Sequence, residues 1–184
     1  EESNTSEKFI VYAGRISSEK GIEELVKAFI ELNDKNLILK IIGEGPQLKE
    51  LRNRFQSRSV QFLGKLDNQD VLKTMALSIG VVTATKLYEG QPTLLCEASK
   101  LSIPSIFPRS GGINEFFPEN YELSFEQFNY EDLKNKIQLL SNEKLRLTIG
   151  ESNKKFINSY LDSGKLSNQF KDCLLYTSDA ADES

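Results

Sequence analysis

The sequence contains no histidine, and it has only two cysteines among its 184 residues. Histidine is the commonest general base near neutral pH and a frequent metal ligand, so its absence removes both roles. Cys96 and Cys173 show no Cys-x-x-Cys spacing, which supports neither a zinc site nor a disulfide framework. A reducing cytoplasm is therefore the expected compartment.

Long apolar runs are absent as well. No run reaches the 18 or more apolar residues of a membrane helix, and no secretory leader is visible. The chain does not begin with Met, so we expect it to start inside a longer polypeptide. A formal net charge of -4 argues against a non-specific nucleic-acid binder. The length and the 39% apolar content are those of a single globular domain.

Both ends are expected to lie outside the folded domain, which we place at residues 9–172. Residues 1–8 are polar and indicate a linker or a frayed terminus. Residues 173–184 (CLLYTSDAADES) resemble the translated read-through of a transposon-type sequencing adapter, so we interpret them as a non-native tail. A native acidic tail is the alternative. The tail carries three acidic residues and no basic one, and the net charge without it is -1.

Between these ends, short apolar runs alternate with segments of helical periodicity. The predicted strands are Phe9–Gly14, Leu37–Gly43, Val60–Gly64, Ile79–Ala84, Pro104–Phe107 and Tyr121–Phe125. The predicted helices are Gly21–Leu32, Pro46–Phe55, Gln69–Leu77, Pro92–Leu101, Tyr130–Leu140 and Lys144–Tyr160. This alternation predicts an α/β fold, a Rossmann-like doubly wound parallel sheet of about six strands with helices on both faces. With the strand order 3-2-1-4-5-6, ligands bind between the first and fourth strands, at their carboxyl ends.

The loop after the first strand places two cations, Arg15 and Lys20, at or before a helix N-terminus. Each is unfavourable there by about 0.3–1 kcal/mol against the helix dipole, and an anionic ligand would reverse the sign. The alternative is that both are solvated surface charges.

The loop after the fourth strand contains Glu89-Gly90-Gln91-Pro92, followed by a helix. Gly90 allows a ligand to approach the backbone, and Pro92 suits the first helical position. The amides of Thr93, Leu94 and Leu95 would then be free donors, which bind phosphate readily.

Glu97 falls at the edge of the predicted packed face of this helix. A carboxylate there needs donors, either sugar hydroxyls or a salt bridge to a neighbouring helix. Cys96 is interpreted as a small core residue rather than a nucleophile. Gly43-Glu44-Gly45 lacks the third glycine of a dinucleotide loop and indicates a turn, whereas Gly111-Gly112 could line the crevice.

Together these motifs resemble the C-terminal domain of family 4 retaining glycosyltransferases, enzymes of the two-domain GT-B architecture. The resemblance extends from Phe9 to about Lys171 and depends on five motifs in the family's order. They are Gly14-Arg15 with Lys20-Gly21, IIGEGP, FLG, EGQPTLLCEAS, and Gly111-Gly112-Ile-Asn-Glu115.

The resemblance implies roles for the matching residues. Arg15 and Lys20 would hold the donor diphosphate and stabilise the departing charge, and Glu89 would face the transferred sugar. Glu97 would accept hydrogen bonds from the ribose. Gly90 and the amides of Thr93 and Leu94 would contact the donor, and Gly64-Lys65-Leu66 would lie beside the base. The segment Leu101-Ser102-Ile103-Pro104 lacks a glycine that the family has there, which makes the sugar harder to infer.

The implied activity is retaining transfer of a hexosyl or related group from a nucleotide diphosphate-sugar, with a UDP-sugar favoured. No metal and no cofactor are expected. The acceptor would be a glycan, a lipid or a similar molecule bound by a missing N-terminal domain, so we expect no turnover from this domain alone. Polysaccharide or glycolipid synthesis in the cytoplasm, or at the inner face of the membrane, is the expected setting. A nucleotide-sugar epimerase and a non-catalytic nucleotide-sugar-binding module are the alternatives.

Overall fold

A computed structural model describes residues 7–164 and 168–182. One six-stranded sheet has the order β3-β2-β1-β4-β5-β6, and all neighbouring strands are parallel. The strands are β1 (Lys8–Ala13), β2 (Leu37–Ile42), β3 (Val60–Gly64), β4 (Gly80–Val82), β5 (Ser105–Pro108) and β6 (Ser124–Phe125). The helices are α1 (Ile22–Glu31), α2 (Leu48–Phe55), α3 (Asn68–Leu77), α4 (Thr93–Lys100), α5 (Tyr130–Leu139), α6 (Glu143–Asp162) and α7 (Asn168–Asp182). Short 3-10 turns occupy Ser18–Lys20 and Ile113–Phe116.

Helices cover both faces of the sheet, which confirms the predicted Rossmann-like α/β fold and strand order. Alternate residues of β1 point to opposite faces, as a strand requires. Ile10 belongs to the apolar cluster that includes Leu25 of α1 and Leu133 of α5. Val11 belongs to the cluster on the other face, with Met75 of α3 and residues of α4.

Both helices that were predicted to begin at a proline begin later in the chain. Pro46 lies two residues before α2, because the chain is still bonded to the neighbouring loop, and the amide of Gln47 donates to the Ile16 carbonyl over 3.1 Å. Pro92 is the residue that precedes α4, and the helix begins at Thr93.

β4 and β6 are each three residues shorter than predicted. β4 spans three residues, and β6 spans only two. Tyr121, the predicted start of the sixth strand, instead turns its side chain inward. Its hydroxyl donates to the Ser105 carbonyl over 2.7 Å and accepts from the Ser105 amide over 3.1 Å.

The C-terminal helix α7 continues through most of the stretch that we interpret as a non-native tail. Phe170 and Leu174 are buried against the second apolar cluster. The origin of residues 173–184 stays a prediction, and we therefore assign no functional role to Cys173. Residues 1–6 of the predicted linker lie outside the described residues, as do residues 183 and 184 of the tail.

Candidate functional site

The loops after β1 and β4 are brought together by a glycine. Gly21 has φ +69° and a Cβ there would lie 2.1 Å from the Ala84 carbonyl oxygen, so no larger residue fits. A backbone hydrogen bond of 2.9 Å, from the Lys86 amide to the Glu19 carbonyl, joins the same two loops. The start of α1 is thereby fixed against the end of β4, at the point where the winding of the sheet reverses.

Lys20 and Glu89 meet at this junction. The Lys20 ammonium forms an ion pair and hydrogen bond with Oε1 of Glu89, and about a quarter of each side chain is exposed. Thr85 Oγ1 donates to the same carboxylate oxygen over 3.0 Å. The sequence indicated that both charged residues border one crevice, and the structure brings them into direct contact.

Gly111-Gly112 packs against the loop that carries Glu89. The Gly112 amide donates to the Glu89 carbonyl over 3.0 Å. A Cβ at Gly111, where φ is +62°, would lie 2.6 Å from that carbonyl oxygen. The two glycines therefore pack against the backbone that presents Glu89 and Gly90.

The N-terminus of α4 follows directly. The Thr93 amide was predicted to be a free donor, and this prediction is wrong, because the amide donates to the Gln91 carbonyl over 3.0 Å. Within residues 7–164 and 168–182, the amides of Leu94 and Leu95 have no hydrogen-bond acceptor. Two free donors and the positive end of the helix dipole make this terminus suitable for an anion.

Glu97 lies further along α4 and is only 4% exposed, so it is buried rather than at the edge of the packed face. Burial raises the pKa of its carboxyl, and a hydrogen bond donated by Cys173 Sγ over 3.1 Å opposes that rise. The predicted alternative, a salt bridge to a neighbouring helix, does not form among the described residues.

Arg15 is exposed, and its guanidinium makes no hydrogen bond or ion pair with any residue that the structure describes. Its backbone is fixed, however, because the buried Tyr12 hydroxyl donates to the Arg15 carbonyl over 2.8 Å. Burial raises the pKa of Tyr12, and the nearby Glu89 charge adds to the rise, so the hydroxyl keeps its proton.

The predicted base-binding segment, Gly64-Lys65-Leu66, begins at the last residue of β3, on the same edge of the sheet. The Gly64 carbonyl accepts from the Gly43 amide over 2.8 Å, which joins it to the loop after β2. Lys65 is largely exposed and pairs with Glu44 over 3.2 Å. Among the described residues, no hydrogen bond or ion pair joins these three residues to Glu89 or Lys20.

Sequence reasoning missed Tyr12 and Thr85, which support the two loops from inside. Both lie in or directly after apolar strands, where a polar atom gives no periodic signal. It also missed Lys86, which pairs with Glu24 and thereby joins the loop after β4 to helix α1 by a second ion pair. The one signal that could have indicated Thr85 is its position, as a polar residue at the end of an apolar run.

Among the described residues, no helix combines the length and apolar character that crossing a bilayer would require.

Comparisons with known proteins agree with this geometry. Residues 1–156 match the family described as glycosyl transferases group 1. An uncharacterized glycosyltransferase of Methanocaldococcus jannaschii is 30% identical over 157 residues, which are 83% of this chain and 44% of that protein. The chain spans less than half the length of this and the next relatives, at 44%, 40% and 47%.

Solved structures show the same fold. The catalytic domain of cholesterol-alpha-glucosyltransferase from Helicobacter pylori superposes with a TM-score of 0.73 at 23% identity, over 84% of this chain and 99% of that one. Anabaena Alr3699/HepE, solved in complex with UDP-glucose, gives a TM-score of 0.74 at 19% identity, over 95% of this chain and 47% of that one. The chain therefore belongs to the group 1 glycosyl transferases, and its fold is that of their C-terminal domain in the GT-B architecture.

Proposed function

We propose that this domain binds a nucleotide diphosphate-sugar and supplies the donor side of a retaining glycosyl transfer. The observation that carries the proposal is the contact between Lys20 and Glu89, beside the free amides of Leu94 and Leu95. A cation and a carboxylate therefore meet at the reversal point of the sheet, on the loop that leads to the anion-binding amides of α4.

The cationic groups suit a diphosphate. Lys20 and the exposed Arg15 can donate charge-assisted hydrogen bonds to phosphate oxygens, each of which contributes about 1.5–3 kcal/mol. The N-terminus of α4 adds backbone amide donors, which do not depend on the identity of the side chains. These interactions strengthen as negative charge develops on the leaving nucleotide, which is the requirement for catalysis.

The carboxylates suit hydroxyl groups. Glu89 is partly exposed in the crevice and would face the transferred sugar. Glu97 is buried, so water does not donate hydrogen bonds to its carboxylate. Ribose hydroxyls would take the place of water as donors. Lys20 must then exchange Glu89 for phosphate, a small change because partly exposed ion pairs contribute about 1 kcal/mol or less.

UDP-sugars are the favoured donors, because a structural relative was solved with UDP-glucose. Gly64-Lys65-Leu66 would lie beside the base. We propose that neither a metal nor a cofactor is required. A glycan or lipid acceptor would be bound by an N-terminal half, in the cytoplasm or at the inner face of a membrane, so this domain alone should show no turnover.

Isothermal calorimetry with UDP, GDP and ADP tests the proposal directly. We expect one of the three to bind and Lys20→Ala to weaken it about tenfold, the loss of one charge-assisted hydrogen bond. Lys27→Ala is the matched control, because Lys27 lies on the exposed side of α1 and pairs with Glu23 over 2.8 Å. The absence of binding by all three nucleotides would rule the proposal out.

A further inference from the structure

We propose that Thr85 is a positioning residue for Glu89. It holds one carboxylate oxygen, Oε1, so that the other, Oε2, is presented to the sugar of the donor. This inference rests on the proposed function, because it assumes that Glu89 contacts the transferred sugar.

The direction of the Thr85 hydroxyl is determined by its two partners. Thr85 is 1% exposed, so water does not compete for the hydroxyl. Its Oγ1 accepts a hydrogen bond from the Leu87 amide over 3.2 Å. The hydroxyl proton is therefore left for Glu89 Oε1, at 3.0 Å. A hydroxyl that accepts on one side and donates on the other is held in a single rotamer.

Thr85 itself is rigidly placed. It lies three residues after the last residue of β4, and the Thr83 amide still donates to the Ile106 carbonyl of β5 over 2.9 Å. The Gln127 side-chain amide, from the segment after β6, donates to the Thr85 carbonyl over 3.2 Å. Thr85 is thus tied to the sheet and to the segment that follows its edge strand, and it can serve as a fixed reference for the carboxylate of Glu89.

Both donors to Glu89 use the same oxygen. Lys20 and Thr85 bond Oε1, while Oε2 has no hydrogen-bond donor among the residues that the structure describes. When the diphosphate of a donor attracts Lys20, Thr85 is the side-chain contact that remains on Glu89. The carboxylate then keeps its orientation while the ammonium moves to the phosphate.

Calorimetry with UDP and with UDP-glucose, UDP-galactose and UDP-N-acetylglucosamine separates positioning from a purely structural role. The measured quantity is the ratio of the Kd of UDP to the Kd of the tightest UDP-sugar. Thr85→Val should lower this ratio about five- to tenfold, the effect of losing a hydrogen bond to a charged group, while the Kd of UDP stays within about twofold. Thr85→Ser keeps the hydroxyl and should retain the wild-type ratio.

Thr85→Val also removes the acceptor of the Leu87 amide, so the contact with Glu89 needs a separate test. Urea unfolding of Thr85→Val, Glu89→Ala and the double variant supplies it, without any ligand. Thr85→Val should lower the urea unfolding midpoint of the wild-type chain. In the Glu89→Ala background the same substitution should lower the midpoint by at most half as much.

The outcomes divide cleanly. Three results would overturn the positioning role and leave the donor site standing. They are an unchanged Kd ratio in Thr85→Val, equal weakening of UDP and UDP-sugar binding in that variant, and full additivity of the two substitutions in urea unfolding. A wild-type chain that binds UDP but prefers no UDP-sugar would overturn it too. If GDP or ADP binds in place of UDP, the same ratio is measured with the corresponding nucleotide-sugars, and the same outcomes apply. A wild-type chain that binds no nucleotide would overturn the proposed function, and the positioning role with it.

Discussion

Gly111 lies directly against the backbone of Glu89, although the two are 22 positions apart in the sequence. A Cβ at Gly111 would be 2.6 Å from the Glu89 carbonyl oxygen and 2.9 Å from its nitrogen. Side chains essentially never approach backbone atoms so closely, and the φ of +62° is a second reason for glycine. The loop after β5 therefore determines where the loop after β4 presents its carboxylate.

Gly111→Ala should destabilise the fold and displace Glu89. We expect a loss of about 2 kcal/mol or more in the free energy of unfolding, from the backbone strain and the clash together. Binding of a UDP-sugar should weaken more than binding of UDP. Urea unfolding and calorimetry measure the two effects.

Gly164→Ala is the control for backbone strain alone. Gly164 has a similar φ of +73°, but a Cβ there would meet nothing within 4 Å. This variant should lose about 1 kcal/mol of stability and keep wild-type binding. If both alanine variants behaved alike, the packing of Gly111 against Glu89 would not matter for the site.

Glu89→Gln tests whether Glu89 and the diphosphate compete for the Lys20 ammonium. Glutamine still accepts from Thr85 but no longer pairs with the ammonium, which becomes available to phosphate. Because a partly exposed ion pair contributes about 1 kcal/mol or less, UDP alone should bind up to about fivefold more tightly. The preference for UDP-sugar over UDP should fall. Weaker binding of UDP would show that Lys20 and Glu89 do not compete in this way.

Glu50→Gln is the matched control for that experiment. Glu50 forms an exposed ion pair with Arg54 over 2.9 Å, on α2. Its substitution makes the same chemical change away from the crevice, and the affinity for either nucleotide should not change.

The sequence predicted those parts of the fold that periodicity and glycine placement determine. Apolar runs located all six strands, and the predicted strand order placed the loops after β1 and β4 side by side, because parallel strands end at one edge. It could not predict the contacts of Tyr12 and Thr85, since a buried hydroxyl and its distant partner leave no periodic pattern. Gly111 was recognised as special, but its actual neighbour, the backbone of Glu89, depends on packing across two loops.

Glu97 should show opposite effects on stability and on binding. Burial raises the pKa of its carboxyl above the ordinary 4.5, so the folded state binds more protons than the unfolded state between 4.5 and the raised pKa. The free energy of unfolding therefore falls as pH rises through that window. Glu97→Gln should be more stable than wild type at neutral pH, and the gain should shrink as pH falls towards 4.5.

The same variant should weaken nucleotide binding about tenfold, because it loses a charged acceptor for ribose hydroxyls. Glu119→Gln, at an exposed position, should change neither property. Thermal unfolding as a function of pH, together with calorimetry, tests both effects. A Glu97→Gln chain that is less stable at neutral pH would contradict the assignment of a destabilising, ligand-directed carboxylate.

Neither cysteine should react readily in the folded chain. Cys96 is fully buried, and burial followed by the nearby Glu97 charge raises its pKa. Burial, with the hydrogen bond to Glu97, raises the pKa of Cys173 to about 11. Because the thiolate is the reactive form, iodoacetamide should label neither residue near neutral pH, and both should be labelled in urea. Rapid labelling of native Cys96 would revive the interpretation of that residue as a nucleophile.

Tyr12→Phe should loosen the loop that carries Arg15. The buried hydroxyl donates to the Arg15 carbonyl, and its removal leaves that carbonyl without this donor, at a loss of about 1 kcal/mol in stability. UDP should bind several-fold more weakly, because Arg15 would have to be ordered on binding. Tyr88→Phe, at a side chain that is 83% exposed, is the control and should change neither quantity. If Tyr12→Phe lowered stability but left UDP affinity unchanged, Arg15 would not contribute to diphosphate binding through this loop.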